Sequence, residues 1–309
     1  MAMILISADM KPSSWIKHIQ KLAPVIEVRV WPEFGNVEDI RMALVWKHPH
    51  GVLNRFPNLK CIASLGVGVD HILSDSHLPQ NVPITRIVSL SMAQSMSEYV
   101  TLAVLSRCRH YDSYQHDQRQ KNWQPRVPLL AEKIRIGVMG LGQLGAHAAS
   151  ALSRFGFAVA GWSNSPKEIE FVESFAGRGQ LSPFLGRTDI LICMLPLTPS
   201  TEGILNRETF TRLPKGAYLI NVARGQHLVE KDLLAALAKG QLSGACLDVF
   251  CQEPLPKTHP FWTHPKITVT PHISSLTYPA AVAPQLVENY RRLGTGEKLM
   301  NPVDLQRGY

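Results

Sequence analysis

The chain has 309 residues, of which 45% are apolar and 18% are charged. At about 150 residues per domain this length predicts roughly two domains with packed cores, and the composition excludes disordered, collagen-like and coiled-coil classes. The net charge is +8, but no dense Lys/Arg cluster indicates a nucleic-acid-binding arm, and a basic balance equally suits an enzyme that attracts small anions.

The first part of the chain alternates short apolar runs with segments of helical periodicity. Residues 3–7, 25–30, 43–46 and 60–65 are predicted strands, and the apolar side chains of 15–23 recur at helical spacing. Such alternation is typical of an α/β fold, in which helices cover a parallel sheet. The opening strand follows no basic leader and no run of 18 apolar residues occurs, so we expect a cytoplasmic protein without signal peptide or membrane span.

A long helix is predicted over 91–112, and a polar, proline-containing connection follows it over 114–130. The change in composition places one domain boundary within this helix. A second alternating series follows, with predicted strands at 133–139, 158–162, 189–194, 217–221, 244–248 and 266–270 and a last helix at 280–293.

The cysteines are odd in number and scattered, with no C-x-x-C pair: Cys61, Cys108, Cys193, Cys246 and Cys251. Three of them lie in apolar runs, so we expect reduced, buried side chains rather than disulfides. No His and Cys residues have the spacing of metal ligands, so no metal site is predicted.

The strongest local signal is the glycine-rich loop in IRIGVMGLGQLG, between a predicted strand and a predicted helix. Gly140 allows a tight turn, Gly142 lets a pyrophosphate approach the backbone, and Gly145 lets the helix pack closely on the strand. Gln143 and Leu144 begin the helix, whose N-terminal partial charge favours phosphate. The pattern predicts a dinucleotide site; the alternative is a glycine-rich turn that binds nothing.

The end of the next strand indicates which dinucleotide fits. NAD-preferring sites place Asp or Glu there, where the carboxylate accepts from the ribose 2′-hydroxyl. Here the stretch reads GWSNSPK and has no carboxylate. Its polar groups suit a 2′-phosphate instead: Ser163, Asn164, Ser165 and Lys167. The sequence therefore predicts NADP(H) in preference to NAD(H), although no arginine is present to clamp the phosphate.

Three polar segments follow later predicted strands: NVARG, LDVFCQEPLP and TPHIS. Because open α/β sheets bind ligands beyond the carboxyl ends of their strands, Arg224, Glu253 and His272 are expected to converge. Taken singly, Arg224 fits a surface charge, Glu253 a turn acid and His272 a loop histidine. Together, beside a dinucleotide loop, they indicate a catalytic group.

The glycine loop, LPLTPSTEGILN, NVARG, LDVFCQEPLP and TPHIS together resemble the D-isomer-specific 2-hydroxyacid dehydrogenases over essentially the whole chain. Within that family the chain is similar to the glyoxylate/hydroxypyruvate reductase A group, through ALVW, SLGVGVD, NWQP, SFAGR and the terminal RGY. The resemblance implies two Rossmann-like domains, each a doubly wound parallel sheet. The substrate domain would be discontinuous, over 1–98 and 275–309, with an NAD(P)-binding domain over 99–274 inserted between its two parts in the sequence. The implied assembly is a homodimer.

The resemblance also implies catalytic roles. Arg224 would hold the carboxylate of a small 2-oxoacid and polarise its ketone, since a planar guanidinium matches such oxygens. His272 would protonate the ketone oxygen as hydride arrives from the nicotinamide, and Glu253 would orient the imidazole.

Further residues are implied along the two ligand sites. The cofactor groove would include Leu195, Pro196, Val222, Ala223, Asp248 and Ser274. Backbone amides of the other domain would face the substrate at Gly66, Val67 and Gly68. Trp46 would close the substrate pocket, although an aromatic residue after a strand is as often part of a core.

Two departures from the group's pattern concern selectivity. Tyr278 stands where the group carries Arg in T-R-P-A, and Asn164 stands where it carries a basic residue. The leading interpretation is an NADPH-dependent reductase of glyoxylate and hydroxypyruvate that binds neither nucleic acid nor membrane. The alternatives are an NADH-linked dehydrogenase of another D-2-hydroxyacid and a non-enzymatic dinucleotide-sensing protein of the same fold.

Overall fold

The computed structural model describes residues 2–7 and 10–309. The chain divides into two compact units: one consists of Met1–Met92 with Thr277–Tyr309, and the other of Ala93–Leu276. The first unit is thus assembled from both ends of the sequence. The limits predicted from the sequence were 98 and 275.

The regular elements follow one another along the chain with few long gaps. The strands are β1 (Ala2–Ser7), β2 (Glu27–Val30), β3 (Ile40–Trp46), β4 (Cys61–Ser64), β5 (Ile84–Thr85), β6 (Arg135–Met139), β7 (Ala158–Ser163), β8 (Val172–Ala176), β9 (Ile190–Cys193), β10 (Ala217–Asn221), β11 (Leu242–Leu247) and β12 (Ile267–Val269). The α-helices are α1 (Pro12–Leu22), α2 (Asp70–Leu73), α3 (Leu90–Cys108), α4 (Tyr111–Arg119), α5 (Gln143–Arg154), α6 (Leu181–Gly186), α7 (Arg207–Arg212), α8 (Glu230–Ala238) and α9 (Pro279–Thr295).

The first unit is built on a parallel sheet with strand order β2-β1-β3-β4-β5. α1 starts with Pro12 at its first position, where a missing N–H costs no helical hydrogen bond. Its buried face consists of Trp15 and Ile19, and the helix packs against α9. Gly296 ends α9 at a φ of +73°, a left-handed conformation that glycine adopts readily.

The second unit contains a parallel sheet with strand order β12-β11-β10-β9-β6-β7-β8. Both of its faces are buried, because alternate residues of a strand point to opposite sides. In β9, Leu191 and Cys193 join a core that includes Phe184, whereas Ile192 joins a core that includes Val100 of α3. Burial on both faces explains the continuous apolar runs of these strands.

The structure therefore confirms the predicted α/β class with parallel sheets. The predicted helix over 91–112 is interrupted, however: α3 ends at Cys108, and His110 takes a left-handed φ of +57° before α4 begins. α4 also occupies part of the segment predicted as a connection. This helix is not visible in the hydrophobic pattern, because its sequence is polar. An ion pair of Arg126 with the buried Asp117 stabilises it in place of an apolar face.

Two further properties concern the whole described chain. No helix within residues 2–7 and 10–309 has both the length and the apolar character needed to span a bilayer. The five cysteines, all in the described part, are free thiols, and four of them are buried while Cys251 is exposed. Burial raises the pKa of Cys193 to about 12, so this thiol stays protonated at neutral pH.

Replacing Phe184 by alanine tests the core of the second unit. The Phe184 ring is fully buried, and a Cβ added to Gly137 of β6 would lie 2.8 Å from it. We expect Phe184→Ala to lower the free energy of unfolding by about 3–5 kcal/mol, because it leaves a cavity that the sheet fills only partly. Phe171→Ala, at a side chain that is 77% exposed, is the matched control and should change it by less than about 0.5 kcal/mol. Equal shifts in denaturant titrations would contradict this assignment of the core.

Candidate active site

The glycine-rich loop connects β6 to α5 by close backbone packing. Gly140 has a φ of +101°, which side-chain-bearing residues rarely adopt, and its N–H donates to the Trp162 carbonyl at 2.8 Å. A Cβ on Gly145 would lie 1.8 Å from the Gly140 carbonyl oxygen, so any larger residue would force the loop off the helix. By contrast, a Cβ on Gly142 would meet nothing within 4 Å. The loop therefore packs on its inner side and is open at Gly142.

The first turn of α5 fits an anionic group. Gly142 precedes the helix without a capping side chain, and the first turn contains no acidic residue. The N–H groups there, together with the partial positive charge of the helix N-terminus, favour a phosphate. The residues present thus fit the pyrophosphate of a dinucleotide.

The bend after β7 presents polar groups to solvent. Ser163 Oγ donates to the Ser165 carbonyl at 2.8 Å, and the Lys167 N–H donates to Ser174 Oγ at 3.0 Å. These two bonds shape the bend, and the side chains of Asn164, Ser165 and Lys167 are exposed. Hydroxyl, amide and ammonium donors are therefore the groups that a ligand meets at the end of β7.

The segment after β10 positions Arg224 through its backbone. Buried Asn221 accepts from the Ala223 N–H at 3.2 Å and donates to the Arg224 carbonyl at 3.0 Å. A Cβ on Gly225 would lie 1.9 Å from the carbonyl carbon of Phe250, so this segment packs directly on the backbone that follows β11. The Arg224 guanidinium donates to the Ala223 carbonyl at 2.7 Å.

Glu253 and His272 form the expected pair. His272 Nδ1 lies 2.8 Å from Glu253 Oε2, and Glu253 Oε1 accepts from the Phe250 N–H at 3.2 Å. Both side chains are half-buried. With Nδ1–H donating to the carboxylate, Nε2 is the ring nitrogen on the side away from Glu253. The pair has the geometry of a general acid held by an orienting carboxylate.

His272 has a left-handed backbone, with a φ of +54°. The buried carboxylate of Asp248 stabilises this conformation by accepting from the Ile273 N–H at 2.9 Å and the Ser274 N–H at 2.8 Å. The His272 N–H itself donates to the Asp248 carbonyl at 2.8 Å. The end of β11 thus fixes the loop that carries the imidazole.

A hydroxyl chain extends from this carboxylate to α3. Thr270 Oγ1 donates to Asp248 Oδ1 at 2.5 Å and lies 2.6 Å from the Tyr99 hydroxyl. Because the single hydroxyl proton of Thr270 goes to Asp248, the Tyr99 hydroxyl is the donor to Thr270. Burial also raises the pKa of Tyr99 well above its usual range. The negative charge of Asp248 therefore has backbone and hydroxyl donors around it.

The structure brings the remaining predicted groove residues to the same edge of the sheet, in the loops after β9, β10, β11 and β12. A Cβ on Gly140 would lie 2.6 Å from the Met194 carbonyl oxygen and 3.0 Å from the Leu195 nitrogen, so the loop after β9 packs on the glycine loop. Pro196 is half-buried, and the other predicted groove residues are buried: Leu195, Val222, Ala223, Asp248 and Ser274.

The predicted substrate-binding residues of the first unit form a cluster of their own. The Trp46 ring lies against Gly66, where an added Cβ would be 2.6 Å from Trp46 Cζ3, and its centroid is 4.6 Å from that of His71. Ser64 Oγ donates to the Gly68 carbonyl at 2.8 Å and accepts from the Gly66 N–H at 3.2 Å. Val67 is half-buried, and Tyr278, before α9, is exposed.

Sequence reasoning missed several polar residues that shape the site. Asn221 lies in NVARG and Thr270 in TPHIS, so both motifs contained the signal, whereas nothing in the sequence points to Tyr99 or His71. His227 stands three residues after Arg224 and is fully buried. Its position as a polar residue within an apolar segment is the sequence signal that could have indicated this burial. Within residues 2–7 and 10–309, no group of three or more His, Cys, Asp or Glu side chains could hold a metal ion.

The chain is similar to known proteins over nearly its whole length. Residues 101–274 match the family model described as D-isomer specific 2-hydroxyacid dehydrogenase, NAD binding domain. Glyoxylate/hydroxypyruvate reductase A of Yersinia enterocolitica is 44% identical over 300 residues, 96% of each chain. The protein of the same name from Serratia proteamaculans is 45% identical over the same shares of both chains.

Two solved structures have the same fold throughout. A D-isomer specific 2-hydroxyacid dehydrogenase from Xanthobacter autotrophicus Py2, in complex with NADPH and MES, has a TM-score of 0.95 at 44% identity and covers 100% of this chain and 99% of its own. An NADPH-dependent glyoxylate/hydroxypyruvate reductase from Sinorhizobium meliloti, in complex with NADP and sulfate, has a TM-score of 0.93 at 35% identity and covers 100% of both chains.

Replacing Asp248 by asparagine tests how this loop is held. An amide group would turn an NH2 toward backbone N–H donors that now contact a carboxylate, and the lost charge would weaken the remaining bonds. We expect Asp248→Asn to destabilise the protein by about 1–3 kcal/mol, measured by thermal unfolding. Glu170→Gln, at an exposed acid in the turn before β8, is the control and should leave the melting temperature unchanged. An unaltered melting temperature for Asp248→Asn would show that the loop keeps its conformation without the carboxylate.

Proposed function

Because the chain belongs to the D-isomer specific 2-hydroxyacid dehydrogenase family, we propose that it reduces small 2-oxoacids, glyoxylate and hydroxypyruvate first, with NADPH as the reductant. The products are glycolate and D-glycerate. The observation that carries the proposal is the 2.8 Å contact of His272 Nδ1 with Glu253, on a sheet edge that also presents the glycine loop and Arg224. The similarity to two reductases of these substrates supports the choice of substrate class.

Arg224 binds the 2-oxoacid in this proposal. Its planar guanidinium can contact the carboxylate and the ketone oxygen, and the positive charge polarises the ketone. The Asn221 side chain accepts from the Ala223 N–H and donates to the Arg224 carbonyl, and these two bonds hold Arg224 at the position from which it reaches the substrate.

His272 supplies the proton. The imidazolium Nε2–H donates to the ketone oxygen and becomes neutral, while Glu253 keeps hold of Nδ1–H and so fixes the ring. NADPH, when bound, supplies hydride from C4 of its nicotinamide to the carbonyl carbon. One hydride and one proton thus convert the 2-oxoacid into the 2-hydroxyacid.

In this proposal the cofactor is held by the loops that follow β6, β7, β9 and β10 of the second unit. The first turn of α5, with Gly142, Gln143 and Leu144, binds the pyrophosphate, and the buried strand ends with Leu195 and Val222 line the groove. Ser163, Asn164, Ser165 and Lys167 bind the 2′-phosphate of NADPH through hydroxyl, amide and ammonium donors. Two similar structures contain NADPH or NADP, which supports this preference.

Residues of the first unit also take part in substrate binding in this proposal. Val67 and Gly68 offer backbone amides to the carboxylate, while the Gly66 N–H donates to Ser64 Oγ within the same turn. Trp46, packed on Gly66, limits the size of the 2-oxoacid. The exposed Tyr278 contributes no positive charge.

We also propose that the protein is a cytoplasmic homodimer. Light scattering after size exclusion tests the oligomeric state, and a monomer would contradict the dimer.

A panel of 2-oxoacids tests the reaction and the cofactor together. We expect the purified protein to oxidise NADPH with glyoxylate and hydroxypyruvate faster than with 2-oxoglutarate, whose longer side chain meets Trp46. At equal concentrations NADPH should give the higher rate. Faster turnover with NADH would contradict the assignment of the bend after β7, and NADPH binding without oxidation by any 2-oxoacid would favour a dinucleotide-sensing protein.

Replacing His272 by alanine tests the proton donor. We expect His272→Ala to lower kcat by about 10²–10⁴-fold, because general acid catalysis is lost, while NADPH binding measured by fluorescence titration stays the same. His116→Ala, at an exposed histidine of α4, is the control and should keep the activity. A kcat close to that of the unaltered protein would remove His272 from the mechanism.

A further inference from the structure

His227 is a buried polar residue of the second unit for which the proposed reaction has no role. It stands at the end of a short 3₁₀ turn, Gly225–His227, that begins directly after Arg224. Its side chain has 0% exposure and yet is surrounded by polar partners from two loops of the sheet edge. Burying an imidazole is costly unless its nitrogens are hydrogen-bonded, so these partners define what the residue does.

Each ring nitrogen of His227 contacts a different loop. Nδ1 lies 3.2 Å from both the backbone nitrogen and the carbonyl oxygen of Arg224, and Nε2 lies 3.3 Å from the carbonyl oxygen of Pro196. The Pro196 carbonyl only accepts, so its contact requires a proton on Nε2. In the neutral ring this leaves a lone pair on Nδ1, which accepts from the Arg224 N–H.

The two loops have different ligands in the proposed function. Arg224 binds the 2-oxoacid, whereas the loop of Leu195 and Pro196 packs on the glycine loop, as the short distances from Gly140 to Met194 and Leu195 indicate. The Pro196 carbonyl also accepts from Thr201 Oγ1 at 2.7 Å, which gives this loop an internal support. The imidazole is therefore a direct bridge from the backbone of Arg224 to the cofactor side of the site.

We propose that His227 is a positioning residue that joins the substrate-binding Arg224 to the cofactor-binding loop at Pro196, so that each of its two nitrogens serves a different ligand. The Nδ1 contact sets the backbone of Arg224 and hence the direction of its guanidinium. The Nε2 contact sets the position of Pro196 against the dinucleotide groove. This inference rests on the proposed function of Arg224 and the groove.

Two substitutions separate the two contacts. The Oδ1 of asparagine takes the position of Nδ1, so His227→Asn keeps the acceptor for Arg224 and loses the donor to Pro196. The Nε2 of glutamine reaches the position of the imidazole Nε2, so His227→Gln keeps the donor to Pro196 and loses the acceptor for Arg224. Gln226→Ala, at the exposed neighbour in the same turn, is the matched control.

We expect the two variants to affect different ligands. Each variant loses one hydrogen bond. His227→Asn should weaken NADPH binding about three- to tenfold and 2-oxoacid binding less than about twofold. His227→Gln should weaken 2-oxoacid binding about three- to tenfold and NADPH binding less than about twofold. KM and kcat should be measured with glyoxylate, and dissociation constants with NADPH and with the non-reducible analogue oxamate. The pH profile of kcat should stay the same in both variants, because the contact of His272 with Glu253 is untouched.

The outcomes distinguish a bridge from a core residue. Equal effects of the two variants on both ligands, or no effect, would overturn the proposal, as would a loss of folding in both, since His227 would then only fill space. The NADPH and oxamate titrations need no turnover. If the unaltered protein binds both ligands but reduces no 2-oxoacid, the proposed function fails while the separation of the two contacts is still measured.

Discussion

The candidate site depends on one buried negative charge. The Asp248 carboxylate is out of contact with solvent, and a buried charge of this kind is stable only where donors surround it. Two of its donors are the N–H groups of Ile273 and Ser274, directly after His272. The charge therefore offsets the cost of a left-handed backbone at His272, about 1–3 kcal/mol for such a conformation. The buried Asp248 thus fixes the backbone of His272, and with it the direction of the imidazole toward Glu253.

Close backbone approach explains why the loops at this edge have defined positions. Added Cβ atoms at Gly140, Gly145 and Gly225 would meet backbone atoms at 2.6 Å, 1.8 Å and 1.9 Å. Backbone atoms cannot move aside as flexible side chains do, so these glycines fix the loop after β6 against the loop after β9, and the loop after β10 against the loop after β11. Arg224 and Glu253 lie in two of the loops joined in this way. Main-chain packing thus brings together two segments that are distant in sequence, and no direct bond between the two side chains is needed for this.

Much of the fold was predictable because the parallel sheet of the second unit is buried on both faces. β10 has the predicted bounds 217–221, since its five residues are all buried. β8 lacks such a run: it pairs only with β7 at the edge of the sheet, and its sequence VESFA is partly exposed. α4 was missed for a related reason, since the ion pair of Arg126 with Asp117 that stabilises it has no sequence periodicity.

The contact of Glu253 with His272 followed from the rule that ligands bind beyond the carboxyl ends of strands. The bonds made by Asp248, Tyr99 and His227 did not, because they depend on loop conformations and on a helix that the spacing of motifs does not describe.

The two acids of the site, Asp248 and Glu253, have different hydrogen-bond partners. Asp248 accepts from backbone N–H groups and a hydroxyl, which carry no formal charge. Glu253 contacts the ring whose charge would change in the proposed proton transfer. A proton given to a substrate would therefore alter the charge of the Glu253–His272 pair alone. The backbone that carries His272 would stay fixed by Asp248 throughout the transfer, so the imidazole would be in the same position when it is protonated again.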